Sequence, residues 1–234
     1  MFNTLDEILK QLDALADPSA IEAKAKRFNI TANKSLGIYQ RDLNAIAKEI
    51  KRDNELAIAL FETGIYEARI LCSKLFKPKD LTVELMEYWV VTFENWEICD
   101  SFCMGLFAKS EWAVPKIREW ASREAEFERR AAFATLAAYC MADKKAENDV
   151  FESFFPLIRK AATDERIYVK KAVNWALRNI GKRNVDLREL AIQEAEIILQ
   201  INHPAAQWIA KDALKELQKK GLRMSDYPRA IYRP

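Results

Sequence analysis

The sequence predicts an all-α chain, a HEAT-like α-α superhelix built as a solenoid of antiparallel helix pairs. The 234 residues include only 5 glycines and 7 prolines, with no Asn-Gly or Asp-Gly pair. An all-β chain would need a turn about every 8–12 residues, and the residues for those turns are missing. Apolar residues recur at helical spacing from end to end. One segment also repeats. Arg129-Arg130-Ala131-Ala132-Phe133-Ala134-Thr135-Leu136 aligns without gaps with Lys170-Lys171-Ala172-Val173-Asn174-Trp175-Ala176-Leu177, 41 residues later. Ala210–Leu217 is a weaker copy 40 residues further on. Helical hairpins repeating at roughly 40–47 residues are the mark of HEAT and armadillo arrays. Each hairpin hides its apolar face only by stacking on the next one.

The elements follow in order. Thr4-x-x-Glu7 is a capping box ahead of Ile8, Leu9, Leu12 and Leu15. Asp17-Pro18 closes that helix and opens the next. Apolar residues at 38, 43, 46, 47 and 50 predict a third helix. Further helices are predicted over 53–62, 65–76, 81–93, 95–108, 112–121, 125–141, 149–162, 165–181, 186–200 and 204–220. Residues 1–220 read as a single HEAT-like domain, and 221–234 as a C-terminal tail, extended or flexible. Tyr227, Arg229, Tyr232 and Arg233 in that tail suit either a DNA-contacting strand or a frayed terminus.

Composition removes most enzyme classes. His203 is the one histidine and stands in Asn202-His203-Pro204, a loop by its residues, so a Ser-His-Asp triad is a poor fit and a two-histidine zinc site impossible. No glycine-rich phosphate loop occurs. Cys72, Cys99, Cys103 and Cys140 form no Cys-x-x-Cys pair and read as reduced, mostly buried thiols. No cofactor and no metal are expected. The opening Met1-Phe2-Asn3-Thr4 lacks a basic region followed by an apolar run, and no stretch approaches a membrane span. The expectation is a protein of the bacterial cytosol, associated with the nucleoid, without a membrane partner and monomeric. A carboxylate-based chemistry, or none, is left.

A net charge of +2 does not by itself point to nucleic acid. The distribution is more informative. Arg129 and Arg130 open one repeated helix, and Arg166, Lys170, Lys171, Arg178, Lys182 and Arg183 run along another, mostly on adjacent helical rows. On the inner face of a solenoid such a stripe meets phosphates, and elsewhere it is an ordinary solvated face. Trp96 and Asp100 are spaced i,i+4 and share a helix face. A carboxylate beside an aromatic wall suits the oxocarbenium-like sugar formed when an N-glycosidic bond breaks. The same pair also suits an interhelical ion pair with a core tryptophan. Trp175, between Lys171 and Arg178, reads either as a groove-facing ring or as a core ring under snorkelling cations. The tryptophans at 89, 112, 120 and 208 read as core or helix-packing residues.

Four segments together resemble the bacterial alkylpurine DNA glycosylase family typified by AlkD. They are Leu36-Gly37-Ile38, Trp96-x-x-x-Asp100-Ser101, Arg130-Ala131-Ala132, and Lys171-Ala172-Val173-Asn174-Trp175-Ala176-Leu177-Arg178, in the family's order, and the similarity runs over about 20–220. The resemblance implies a HEAT-like superhelix that cradles double-stranded DNA carrying alkylated bases. It implies hydrolytic release of cationic N3- and N7-alkylated purines, without a metal and without flipping the base. It makes Asp100 the catalytic carboxylate that stabilises the sugar cation and positions water. It makes Trp96 and Trp175 the aromatic walls, and Arg130 the clamp on the adjoining phosphate. Phe28 stands where the family has a tyrosine near the lesion, and Glu97 where an aspartate is expected after the tryptophan. Two alternatives remain open at this point. One is a non-catalytic relative that binds unusual or damaged DNA structures, and the other is a HEAT scaffold for a protein partner.

Overall fold

The computed structural model describes residues 4–233; Met1-Phe2-Asn3 of the chain's opening and Pro234 of the tail lie outside them. The described residues are helical from end to end, with no strand. They divide along the chain into two compact units, with the boundary between Ser110 and Glu111. No helix among them is long and apolar enough to cross a membrane.

The first unit carries α1 (Leu5–Ala14), α2 (Pro18–Phe28), α3 (Gln40–Glu49), α4 (Asn54–Glu62), α5 (Tyr66–Leu75), α6 (Val83–Val90) and α7 (Trp96–Gly105). Its helix starts are set locally. The Thr4 hydroxyl accepts from Glu7 N–H at 3.3 Å and the Glu7 carboxylate accepts from Thr4 N–H at 3.2 Å, completing the capping box. Asp17 caps α2 directly ahead of Pro18, whose missing N–H costs nothing at a first helical position. Helices α4 and α5 pack as a pair, with α3 and α7 against α5. Phe61, Phe76, Trp89, Phe93, Phe102 and Phe107 fill the core, and neighbouring rings in this chain lie 5.2–6.1 Å apart, in the range of favourable tilted contacts.

The second unit carries α8 (Ala113–Trp120), α9 (Glu126–Ala142), α10 (Asn148–Glu152), α11 (Phe155–Ala161), α12 (Ile167–Gly181), α13 (Val185–Leu199), α14 (Pro204–Leu217) and α15 (Arg229–Tyr232). The repeated segment explains its packing. Ala131, Ala132, Ala134 and Ala137 of α9 are fully buried, as are Ala172 and Ala176 of α12, so the two backbones approach closely. Amide side chains tie the repeat together: Asn179 donates to Ala137 O at 2.9 Å, and Asn174 to Ile209 O at 3.0 Å. Helix α12 is thus hydrogen-bonded to the repeated helix on either side of it. At the end of α12, Gly181 lets Leu217 close in; a Cβ there would lie 2.6 Å from Leu217 Cδ2.

Two expectations need correction. The helix predicted over 149–162 is broken into α10 and α11, because Pro156 lacks an N–H and its ring would clash with the carbonyl four residues back. His203 lies in the short loop ahead of α14, as expected, and also serves as that helix's N-cap, its Nδ1 accepting from Ala205 N–H at 3.3 Å. The tail is neither loose nor a free strand. Ser225 and Tyr227 N–H donate to Lys182 O and Arg183 O at 3.0 and 3.1 Å, and Asn184 donates back to Tyr227 O at 2.7 Å. Tyr227 is buried, and Tyr232 of α15 is held by Asn148 at 2.8 Å and by Asp186.

Candidate functional site

The site begins with the seating of α7. Asn95 caps it, its Oδ1 accepting from Glu97 and Ile98 N–H at 2.9 and 3.2 Å, while its Nδ2 reaches Thr31 O at 3.0 Å. Glu97, next in the first turn, points inward. Its carboxylate meets Lys24 of α2 at 2.8 Å and the Tyr66 hydroxyl of α5 at 2.9 Å, all three buried. Burial, then the Glu97 charge, pushes the Tyr66 hydroxyl far above its ordinary titration range, so it stays a donor. A second buried carboxylate fixes the neighbouring turn. Glu67 accepts from Ser35 Oγ at 2.9 Å and from the N–H groups of Leu36, Gly37 and Ile38 at 2.8–3.3 Å. Gly37 needs its glycine: φ is +80°, and a Cβ would sit 2.1 Å from Asp17 O. The Leu36-Gly37-Ile38 motif is therefore an anion nest wrapped around Glu67.

With α7 pinned on its inner side, its outer side carries the residues read from the sequence. Trp96 and Asp100 are half-exposed and line one open cleft of about 430 Å³ with Gln40, Asn44, Lys74 and Ser101. The Trp96 indole donates to Phe28 O at 2.8 Å, which fixes the ring plane and ties the end of α2 to the start of α7. Phe28 itself is exposed, with Arg27 over its ring at 5.6 Å. Ser101 Oγ lies 2.9 Å from Ser73 Oγ. The structure thus brings Trp96 and Asp100 into one cleft and links Phe28 to it through a backbone carbonyl. Chemically, this places a carboxylate and an electron-rich ring face together at a wet surface, a setting that favours a cation.

Arg130 and Trp175 belong to the second unit. Arg130 is buried on α9, and its guanidinium donates to Tyr168 O in the first turn of α12 at 2.7 Å. Trp175 is half-exposed on α12. The expected basic stripe is largely used up inside this unit. Arg183 is fully buried; it donates to Cys140, Asp143 and Ala146 carbonyls at 2.5–2.8 Å and stacks on Phe151 at 4.1 Å. It is a structural residue, not a DNA contact. Arg178 and Lys182 both meet Glu216 of α14, Lys182 at 2.8 Å. Burial tends to raise the Glu216 carboxyl, but its hydrogen bonds from Lys182 and Arg178 outweigh this and hold it below the ordinary range. Arg166 folds back on Asp164. Lys170 caps the Trp208 ring at 5.1 Å, and that ring, read as core, is 40% exposed. Lys171 is left exposed.

The four cysteines are buried free thiols. Burial pushes the Cys140 thiol up to about 12, which makes it inert. Sequence reasoning did not find Lys24, Tyr66, Glu67 or Asn95 as the supports of α7. Their partners lie 2–73 residues away along the chain, the farthest being Lys24 and Glu97, and only the Leu-Gly-Ile turn signalled any of them.

The comparisons with known proteins bear on the whole chain. The family model described as "DNA alkylation repair enzyme" matches residues 8–217. The uncharacterized protein Lin0241 of Listeria innocua serovar 6a is 21% identical over 230 residues, covering 95% of this chain and 99% of that protein. A solved structure matches with a TM-score of 0.74 at 18% identity, covering 95% of this chain and 98% of its own. It comes from a family of proteins related to the HEAT-like repeat DNA glycosylases, with affinity for branched DNA structures. The all-α, HEAT-like fold is shared with it, and by the family match across nearly all its helices the chain belongs to the DNA alkylation repair enzyme family.

Proposed function

We propose that the protein is a monofunctional DNA glycosylase that hydrolyses the N-glycosidic bond of cationic N3- and N7-alkylated purines in duplex DNA. The observation that carries this reading is the cleft in which Asp100 and Trp96 stand together on α7. The substrate base already bears positive charge, so it leaves without being protonated. The burden falls on the sugar, which becomes cationic as the bond breaks. The Asp100 carboxylate stabilises that charge and orients the attacking water, and the Trp96 ring face supports it. The cleft is open, which suits action on a base that is not drawn into an enclosed pocket. Arg130 and Trp175, carried over from the resemblance, act through the second unit on the backbone and the lesion.

The test is base release from methylated duplex DNA. Asp100→Asn keeps the shape and removes the charge. It should lower the rate by about 10²–10³, the usual loss for one well-placed electrostatic group, with DNA affinity equal or higher. Full activity in the variant would sink the assignment. A second reading is binding of branched DNA without catalysis. It is favoured by the one relative of known structure described above and by Phe28 and Glu97 in place of the family's residues. An inactive wild type that prefers a junction to a linear duplex would establish it.

A further inference from the structure

Beside the Asp100 cleft, and sharing Asn44, Lys74 and Gly105 with it, lies a second cleft of about 460 Å³. Four cations converge there from separate parts of the first unit: Lys48 of α3, Arg52 of the α3–α4 connection, Lys74 of α5, and Lys109 of the short 3₁₀ turn Phe107–Lys109 that follows α7. No side chain lining it is a carboxylate. Two of the cations are positioned by backbone carbonyls: Arg52 donates to Phe76 O at 3.0 Å and Lys109 to Gly105 O at 3.2 Å.

This cluster differs in kind from the stripe on α12. There every arginine or lysine except the exposed Lys171 has a carboxylate or an aromatic ring as partner, and the paired cations serve packing. Here they face one another. Burial, then the neighbouring Arg52, holds the Lys109 amine below its ordinary range. Burial likewise lowers Lys74; Glu97 pulls it back up, and Lys109 pushes it down again. Like charges gathered around a concavity, with no acid among the residues that line it, oppose the folded state. An anion seated among them would relieve both the repulsion and the lost hydration.

We infer that the Lys48–Arg52–Lys74–Lys109 cleft is a seat for a backbone phosphodiester of the DNA strand whose sugar occupies the Asp100 cleft. Lys74 lines both clefts, so the anion held in one and the reacting sugar in the other are near neighbours. Asp100, a carboxylate, repels a polyanion, and a cation seat directly alongside offsets that repulsion without touching the reacting bond. The inference rests on the proposed DNA reading and adds to it a phosphate site in the first unit.

The test measures labelled-duplex binding by fluorescence anisotropy across a salt series. It compares wild type, Lys48→Gln/Lys109→Gln, and Lys10→Gln/Lys79→Gln as a control with the same charge change at exposed positions of the same unit. Each lost phosphate contact removes about 0.9 from the log–log slope, so emptying this one seat should flatten it by up to about 0.9 in the cleft variant. At 0.1 M salt its affinity should fall by about eightfold, while the control keeps the wild-type slope. Lys74→Met gives an independent signature: weaker DNA binding together with a thermal midpoint equal to or above wild type, because it removes a half-buried, repelled cation. A wild type that binds with an unchanged slope in the cleft variant overturns the seat and leaves the DNA reading standing. A wild type that binds no DNA overturns the DNA reading itself. If inorganic tripolyphosphate stabilises wild type but not the cleft variant, while DNA affinity is unaffected by the substitutions, the ligand is a free phosphate and the strand assignment fails.

Discussion

Glu97→Ala should cost the first unit several kcal/mol, and the structure shows where the loss arises. The carboxylate is 2.8 Å from Lys24 Nζ and 2.9 Å from the Tyr66 hydroxyl, with the two charged side chains 3% and 8% exposed. Deleting it leaves the Lys24 ammonium buried with the Ile38 carbonyl, 3.3 Å away, as its remaining hydrogen-bond acceptor. Tyr66 keeps Asn95 Oδ1 at 2.9 Å and loses less. Breaking one side of a buried pair costs about 3–5 kcal/mol, because the orphaned charge pays its full desolvation. For a chain of this size each kcal/mol moves the midpoint by about 2–4 °C, so the drop should be on the order of 10 °C. Urea titration followed by circular dichroism gives ΔG, and calorimetry gives the midpoint. The companion variant Lys24→Met/Glu97→Ala removes both charges and should recover most of the loss, since a buried pair is often replaceable by apolar groups. Base release and DNA affinity should fall in the single variant as the N-terminal end of α7 loosens, and return in the double. A single variant within 1 kcal/mol of wild type, or a double no better than the single, would refute this account of how α7 is held.

Other perturbations probe the second unit. Gly181→Ala would force a Cβ to 2.6 Å from Leu217 Cδ2 and 3.0 Å from Ala191 Cβ. Overpacking of this kind costs about 1–3 kcal/mol, and a urea midpoint unchanged from wild type would show that α12 and α14 have room to part. The Asp164 and Glu216 carboxyls are held below their ordinary range despite burial, which acts to raise them: hydrogen bonds from Arg166, and from Lys182 and Arg178, outweigh it. A depressed carboxylate contributes stability that is complete above the unfolded value of about 4 and is lost as pH falls through the folded one. Stability measured from pH 6 to pH 2 should therefore fall below about pH 4, and less steeply in Glu216→Gln.

Much of this protein is legible in its sequence, and what is not has a common cause. Capping residues, apolar period and the alanine-rich repeat act over one or two helical turns or recur at a fixed interval, so α1, α9 and α12 could be read almost residue by residue, and α2 at its start. The break at Pro156 also has a local cause, but the apolar pattern runs straight through it and masks it. Trp96 and Asp100 were readable as a pair because four residues on a helix guarantee a shared face. The supports of that helix were not, because Lys24 and Glu97, or Glu67 and the Leu36–Ile38 turn, meet only through tertiary packing. The tail was misread for the same reason. Tyr227 and Tyr232 look like surface aromatics until Arg183, Asn184 and Asn148 are seen to receive them.

The basic residues carry the last step. Counting lysines and arginines along α12 gave a phosphate-binding stripe, yet Arg183 is sealed in the core and Arg178 and Lys182 share Glu216. A cation paired at 2.8 Å with a carboxylate has a neutralised field, and drawing it onto a phosphate first requires breaking that pair. It releases fewer counterions than a free one and contributes less to the salt slope. Such an attraction depends on which cations lack a carboxylate, and sequence counting cannot see this because the acids come from other helices. In the first unit the ranking reverses. Lys48, Arg52, Lys74 and Lys109 never lie on one helical row and formed no visible motif, yet folding gathers them around one concavity with no acid in its lining. The cations able to hold a strand are thus those that folding brings together against their mutual repulsion, and they stand next to the carboxylate that a polyanion would otherwise avoid.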